Sequence, residues 1–375
     1  MTNETKNPSL FSGGTILLLV LMAIGGAVTI YRLANGLGAA TNLSDEYPWG
    51  LWVSVDVLIG VALAAGGFGI AAAVYVFNMK KYKPVAKPAI LTAFLGYLMV
   101  IVGLVIDIGK PASFWHPLVM WQSHSVMFEV VWCITLYTTV LGLEFAPDLL
   151  DKIGMGGLAK ILRQKIIVYP LVIAGITLSY LHQSSLGAFF LITPHKLHGL
   201  WYTPLLPQLF YLSAIAVGLA MVSFESILSS RVFDRGYDTD ILKGLAKGTW
   251  ITLVIYLVVR IVDLLVQGKV GLVFSGGTAS LLFLLEVVGG VILPIFLLAT
   301  KAGENVSSIL WAQVLVIAGV VLNRFNVNFL TQTGQGGSYF PSFMEIAITL
   351  GIVALGVFLY RAAVVYLPIF SHAEE

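Results

Sequence analysis

The chain has 375 residues, of which 58% are hydrophobic and 11% charged, with a formal net charge of +2. Soluble globular domains carry about 25% charged residues and roughly 45–50% apolar ones, so this composition, with a mean hydropathy of +0.93, argues against a soluble enzyme. The small net charge, with no basic stretch interleaved with aromatics, argues against nucleic-acid binding.

The apolar residues gather in ten runs, each long enough to cross about 30 Å of hydrocarbon. They lie at 12–34, 51–77, 88–109, 123–145, 163–182, 204–228, 248–267, 278–299, 307–324 and 343–367. The pattern predicts an all-α integral membrane protein of about ten transmembrane helices, a single polytopic domain over 1–375. The first run follows Lys6, as the apolar stretch of a signal peptide follows its basic start, but Thr15 to Ile30 is long for such a peptide and reads as an uncleaved span.

Loop charges set the orientation. With the N-terminus inside, the inner side holds Lys6, Lys80, Lys81, Lys83, Lys87, Lys152, Lys160, Arg163, Lys165, Arg231, Arg235, Lys243, Lys247, Lys301 and Arg361. The outer side holds Arg32, Lys110, Lys196, Lys269 and Arg324, while Arg260 lies within the seventh run. This bias predicts cytoplasmic N- and C-termini. Trp49, Trp52, Trp115, Trp121 and Trp201 then fall near the outer surface, where indoles favour the interface.

Two outer connections, Gln183–Thr203 and Phe325–Ser342, are long and rich in apolar and aromatic residues. A partner protein on that face would cover them; the other reading is loops folded back on the helix ends. A weak internal echo is also present. Asp107 and Glu129 stand 22 residues apart, Asp263 and Glu286 stand 23 apart, and Tyr97 and Tyr256 precede the pairs. The echo suggests two similar four-helix bundles, 51–182 and 204–324, with 12–34 and 343–367 as peripheral helices. Within the second run, Gly60–Val74 is crowded with glycine and alanine, which reads as close helix packing. No strand precedes it, so it is not a phosphate loop.

Ionisable residues inside spans cost about 2.5–3.5 kcal/mol each on insertion scales, so each is a functional candidate. The topology places Asp56, Asp107, His124, Glu129 and His182 in the outer half of four consecutive spans. Such a cluster suits a quinone head group, which needs donors at its carbonyls and acceptors for its hydroxyl protons. For each residue the alternative is a helix-end group paired locally or reaching lipid head groups. In the second half, Arg260 with Asp263 or Glu286 reads either as a buried ion pair or as part of a proton path. Glu144 and Glu225, at the inner ends of the fourth and sixth spans, are its candidate mouth.

Redox centres are sparse. Cys133 is the single cysteine and sits in an apolar run. An iron–sulfur cluster normally needs four ligands, so none is expected in this chain. The histidines are His116, His124, His182, His195, His198 and His372. All but His372 belong to the outer half or outer loops, which excludes haems stacked through both leaflets; one outer haem between His124 and His182 stays open. No metal site is expected.

Several motifs together resemble the HybB branch of the NrfD/PsrC family. They are Tyr47-Pro-Trp-Gly50, Asp56-Val-Leu-Ile-Gly60, Val74-Tyr-Val-Phe-Asn78, Glu144-Phe-Ala-Pro147, His182-Gln-Ser-Ser185 and Tyr339-Phe-Pro341. The resemblance covers about residues 30–368. It implies eight to ten spans, no haem, and a menaquinone or ubiquinone site in the outer half of the first bundle. It also implies a periplasmic, ferredoxin-like iron–sulfur subunit docked above that site, with the catalytic subunits of a periplasm-facing nickel–iron hydrogenase. Quinone reductase or quinol oxidase activity would then exist only within the complex, with proton translocation as a further expectation. The motifs carry Glu129, His182 and Asp56 more securely than His124.

Related subunits serve sulfur-compound or multi-haem cytochrome complexes, so the partner enzyme is left open. A second reading is a secondary transporter, and a third is a purely structural anchor. Transporters show midplane ionisable groups on broken helices, whereas here the polar cluster falls in one leaflet, and an anchor needs no such cluster.

Overall fold

The computed structural model describes residues 13–232, 236–300, 303, 305–332 and 339–370. Ten helices in it are long and apolar enough to cross a membrane. In chain order they are α1 (Gly13–Asn35), α2 (Val53–Val76), α3 (Lys80–Asp107), α4 (Val126–Lys152) and α5 (Lys165–Leu191). They continue with α6 (Leu206–Val232), α7 (Thr239–Val266), α8 (Gly277–Ala299), α9 (Val306–Leu330) and α10 (Phe343–Tyr366). Among the described residues there is no β-strand. Each apolar run of the sequence has its helix.

The ends are set by side-chain capping. Ser125 Oγ accepts from Phe128 N at the start of α4, and Asp238 accepts from Asp240 N and Ile241 N before α7. Ser342 and Glu345 form a reciprocal capping box at α10. Each satisfies backbone N–H groups that have no intrahelical acceptor.

Two helices run further than the sequence suggests. α5 continues to Leu191, and α9 to Leu330, so the first parts of both expected outer connections are helical. The polar residues that read as loop find buried partners instead. Gln183 Nε2 donates to Val61 O at 3.0 Å, and Asn328 Nδ2 donates to Gly50 O at 2.8 Å. A polar residue bonded across a helix interface need not leave the membrane. Residues 333–338 of the second connection lie outside the described residues, as do Lys6, Arg235, Lys301 and His372.

Contacts between elements fix the two ends of the molecule. Lys87 and Arg163 both bridge to Asp148, at 3.1 and 3.2 Å, which gathers the start of α3, the end of α4 and the approach to α5. A Cβ on Gly244 of α7 would meet the Tyr82 hydroxyl of α3 at 2.2 Å, so α7 begins at the same, lysine-rich end. At the opposite end, Lys196 Nζ donates to Glu46 O at 3.0 Å, and Arg32 Nη2 to Ile108 O at 2.6 Å.

α2 is the most enclosed of the ten helices, and α1 the least. Its glycines are the reason it can be. A Cβ on Gly66 would lie 2.7 Å from Gly218 O of α6. Backbones approach this closely only where side chains are absent. α2 is not a regular helix: Val53–Ile59 and Ala72–Val76 are π-helical, with a tight turn at Ala64–Ala65, although backbone bonds from Ala64 N and Gly67 N keep it continuous. α1 pairs with α10 through Gly25 and Gly351 and turns Ile16, Leu17 and Ile30 outward, as a lipid-facing helix does.

The tryptophan belt is only partly a belt. Trp115 and Trp121 are exposed, but Trp52 and Trp201 are buried. Each donates its indole N–H inside the protein, Trp52 to Glu345 O at 3.1 Å and Trp201 to Glu286 Oε2 at 2.9 Å.

Candidate functional site

Asp56 sits in the π-helical stretch of α2, buried against Gly103 of α3. A Cβ on Gly103 would lie 2.5 Å from the Asp56 Cβ, so glycine makes room for the carboxylate. Its Oδ2 has no hydrogen-bond partner among the described residues. π-Bulges are rare and recur at functional sites. Asp107, the last residue of α3, acts electrostatically on both Asp56 and the buried Arg32 of α1. Next to them Glu345 is fully buried, and its carboxylate accepts from Asn42 N at 3.1 Å, Ser342 N at 2.8 Å and the Tyr339 hydroxyl. Burial, and then the bond to Glu345, push the Tyr339 phenol well above its ordinary range.

Glu129 lies in the first turn of α4 and is exposed. It accepts a hydrogen bond from Ser185 Oγ of α5. One turn along α5, His182 is fully buried, and neither ring nitrogen has a hydrogen-bond partner among the described residues. Its ring is 5.6 Å from that of Tyr97 on α3, which is 4.6 Å edge-to-face from Tyr137 on α4. Ser179, a turn further along α5, lies beside both phenols. The structure therefore joins Glu129 to Ser185 and His182 to two tyrosines, and it joins Asp56 to Asp107 through their charges. His124 is exposed in the connection before α4 and takes part in neither group.

In the second half Glu286 is buried in the π-helical stretch Leu285–Ile292 of α8. Both its oxygens are occupied, by Trp201 Nε1 at 2.9 Å and by Asn323 Nδ2 and Asn326 Nδ2 at 2.8 Å each. Arg324 stacks 3.7 Å from the Phe210 ring and donates to Ser213 Oγ at 2.9 Å. Arg260 pairs with Asp263 at 3.4 Å rather than with Glu286, and also donates to Leu200 O. Asp263 accepts in addition from Thr203 Oγ1 at 2.6 Å and from Gln267. These bonds tie the connection after α5 to α7 and α8. On that connection burial lowers the pKa of His198, and just beyond α7 it lowers that of Lys269. A cavity of about 20 Å³ borders Glu286, Tyr256 and Asn323, room for about one water.

At the lysine-rich end, Glu225 is tied to Thr92 Oγ1 at 2.7 Å and to the Tyr360 hydroxyl at 2.5 Å. Glu144 faces a cavity of about 340 Å³ between the ends of α3, α4 and α5. Sequence reading did not single out Ser185, Tyr137, Ser179, Tyr339 or the three donors to Glu286 as site residues. The signal available was the spacing of Glu129, Tyr137 and Glu144 along one helix face, with Ser179 and His182 on the facing helix.

A haem held between His124 and His182 does not fit the described residues. His182 has Tyr97 as its ring neighbour, not a second imidazole, and His124 is on an exposed connection. Among the described residues no group of three or more His, Cys, Asp or Glu side chains could hold a metal ion.

The chain is 39% identical over 387 residues to a protein of Nitratidesulfovibrio vulgaris, covering 100% of this chain and 99% of the relative. It is 32% identical over 381 residues to a probable Ni/Fe-hydrogenase 2 b-type cytochrome subunit of Escherichia coli, covering 97% and 95%. It is 27% identical over 380 residues to the integral membrane subunit of a menaquinone reductase of Nitratidesulfovibrio vulgaris, covering 93% and 90%. The family model described as polysulphide reductase, NrfD, matches residues 39–334, and the chain belongs to that family.

Proposed function

We propose that the chain is the quinone-reactive membrane subunit of a respiratory oxidoreductase. It passes electrons between a periplasmic, ferredoxin-like iron–sulfur subunit and the menaquinone or ubiquinone pool. The lysine-rich end is cytoplasmic, as the positive-inside rule requires, with both termini on that side. Residues 51–182 form the quinone-reactive unit, 204–324 a second unit, and 12–34 and 343–367 flank them. The likeness to a hydrogenase subunit supports a nickel–iron hydrogenase as the partner. The likeness to a menaquinone reductase subunit supports the quinone.

The observation that carries this reading is the Glu129–Ser185 pair. Its Glu129 is exposed and its Ser185 buried, with the buried imidazole of His182, unpartnered among the described residues, one turn behind. Exposed Met127 and Leu181 offer apolar surface for an isoprenoid tail. A carboxylate and a hydroxyl at the head group would hold it and exchange its protons, while His182 keeps a free donor and acceptor within the bundle. With one cysteine and no fitting haem site, the electrons come from a cluster on another subunit at the same end.

A photoreactive quinone tests the assignment. Labelling of the assembled complex should map to residues 121–132 and 178–191 and fall in the Glu129→Gln variant. Labelling confined to α8, beside Glu286, would move the site to the second unit.

A further inference from the structure

The connection between α4 and α5 is unlike a loop in water. It carries a short helix, Gly156–Leu162, and leaves Ile153, Met155, Leu158 and Ile161 exposed. In that helix Leu158, Ile161 and Leu162 share one face, Lys160 lies on the other, and Ala159 is the buried residue. An apolar face beside a basic one is the pattern of a helix lying in a membrane interface. Arg163 folds the helix back on the end of α4, bridging Asp148 at 3.2 Å and Asp151 at 2.6 Å. The connection is also basic. Residues 148–165 set the carboxylates Asp148 and Asp151 against Lys152, Lys160, Arg163 and Lys165, and Lys87 reaches Asp148 from α3 at 3.1 Å.

Beside this connection lies the cavity of about 340 Å³, a volume typical of small-molecule sites. Its two ends differ in chemistry. Lys87, Arg163 and Lys165 stand at the mouth with Asp148, whereas Leu143, Phe145, Val168 and Leu171 wall the deeper part. Lys165 and Leu171 are six residues apart on α5, about 9 Å along the helix. Leu143 and Tyr169 line the cavity and are exposed on the spans, so it opens at the lipid-facing surface. Lys87 and Arg163 share Asp148 but keep 45% and 46% of their side-chain surface exposed, so both retain donors for a second anion. Lys165 is exposed and, among the described residues, makes no ion pair. Glu144 lines the wall one turn deeper than Asp148 and disfavours an anionic group at that depth, which leaves the mouth as its place.

We propose that this cavity binds one anionic phospholipid of the surrounding bilayer. Lys165, with Lys87 and Arg163, holds the phosphate. The Tyr75 and Tyr169 hydroxyls supply donors at the depth of the glycerol esters, and one acyl chain runs against Leu143, Val168 and Leu171. A quinone suits the apolar wall but brings no charge to the three cations, and a free phosphate suits the cations but leaves the wall bare. An anionic amphiphile uses both ends. The site stands apart from the Glu129–Ser185 pair, which joins α4 and α5 at their other end.

The test uses the full chain in its complex, delipidated in detergent and titrated with phosphatidylglycerol carrying a photoreactive diazirine on one acyl chain. Labelling should saturate and map to residues 143–145 and 162–171. Unlabelled phosphatidylglycerol should displace the probe, whereas phosphatidylcholine, menaquinone and inorganic phosphate at the same concentration should not. A Lys or Arg beside an anionic lipid surface is worth about fivefold in binding, so Lys165→Gln should raise the half-saturating concentration by about that factor and Lys165→Arg should not. Lys165 makes no ion pair among the described residues, so without lipid the Tm of both variants should match wild type, which separates lost charge from a damaged fold. Equal displacement by phosphatidylcholine would mean ordinary boundary lipid, displacement by menaquinone a quinone site, and displacement by inorganic phosphate a free-anion site. Each of these overturns the proposal, as does an unchanged half-saturation in Lys165→Gln or labelling spread evenly over the lipid-facing helices.

Discussion

Glu129 and Ser185 hydrogen-bond across the α4–α5 interface at the end of the molecule away from the lysine-rich cavity. Glu129 is exposed, while Ser185 and the histidine one turn behind it are buried. Accessible acid and enclosed imidazole suit consecutive steps of a proton relay. Removing the acid should slow quinone turnover by about 10²–10⁴. Glu129→Gln retains shape and the hydrogen bond from Ser185 but not the proton acceptor. The check is steady-state quinone-linked activity in a complex whose assembly is verified by gel filtration. Full activity would make Glu129 structural.

Much of this was legible in the sequence, because lipid imposes simple rules. Ten apolar runs gave ten helices, since no other backbone arrangement but a closed barrel satisfies itself in hydrocarbon. The crowded glycines of the second run did mark the most enclosed helix. Helix ends were less legible: Gln183 and Ser185 look like loop residues until Val61 O and Glu129 are seen opposite them. The pairing of Arg260 with Asp263 was foreseeable from their i, i+3 spacing. The role of Trp201 was not, because its partner Glu286 is 85 positions away.

The donor set predicts the optical spectrum. Among the described residues the ring neighbour of His182 is Tyr97, not a second imidazole. A reduced-minus-oxidised spectrum of the complex should show no b-type haem assignable to this chain. A haem band lost in His182→Ala or His124→Ala would sink this expectation.

The Arg260–Asp263 pair should behave as a structural clamp. Both residues are buried, and they hold the connection after α5 through Leu200 O and Thr203 Oγ1. Breaking a buried pair from one side strands a charge and costs about 3–5 kcal/mol, whereas replacing both partners costs less. Arg260→Met alone should lower the Tm of the detergent-solubilised protein more than Arg260→Met with Asp263→Leu. Additive losses in the double variant would show that the two side chains act independently.

His198 makes the connection after α5 sensitive to acid. Its Nδ1 accepts from Leu200 N at 3.2 Å, next to the carbonyl that Arg260 holds. Burial lowers its pKa below the ordinary 6.5. A lowered folded-state value means the contribution is present above the unfolded pKa and is lost as pH falls through the folded one. Protonation puts a hydrogen on the accepting nitrogen and opposes the bond. The Tm of the solubilised protein should therefore fall between about pH 7.5 and about pH 5.5, a window that brackets the unperturbed histidine value. His198→Asn keeps an acceptor in the same position and does not titrate, so its Tm should fall less over the same window. Equal falls in wild type and variant would assign the acid sensitivity to other groups.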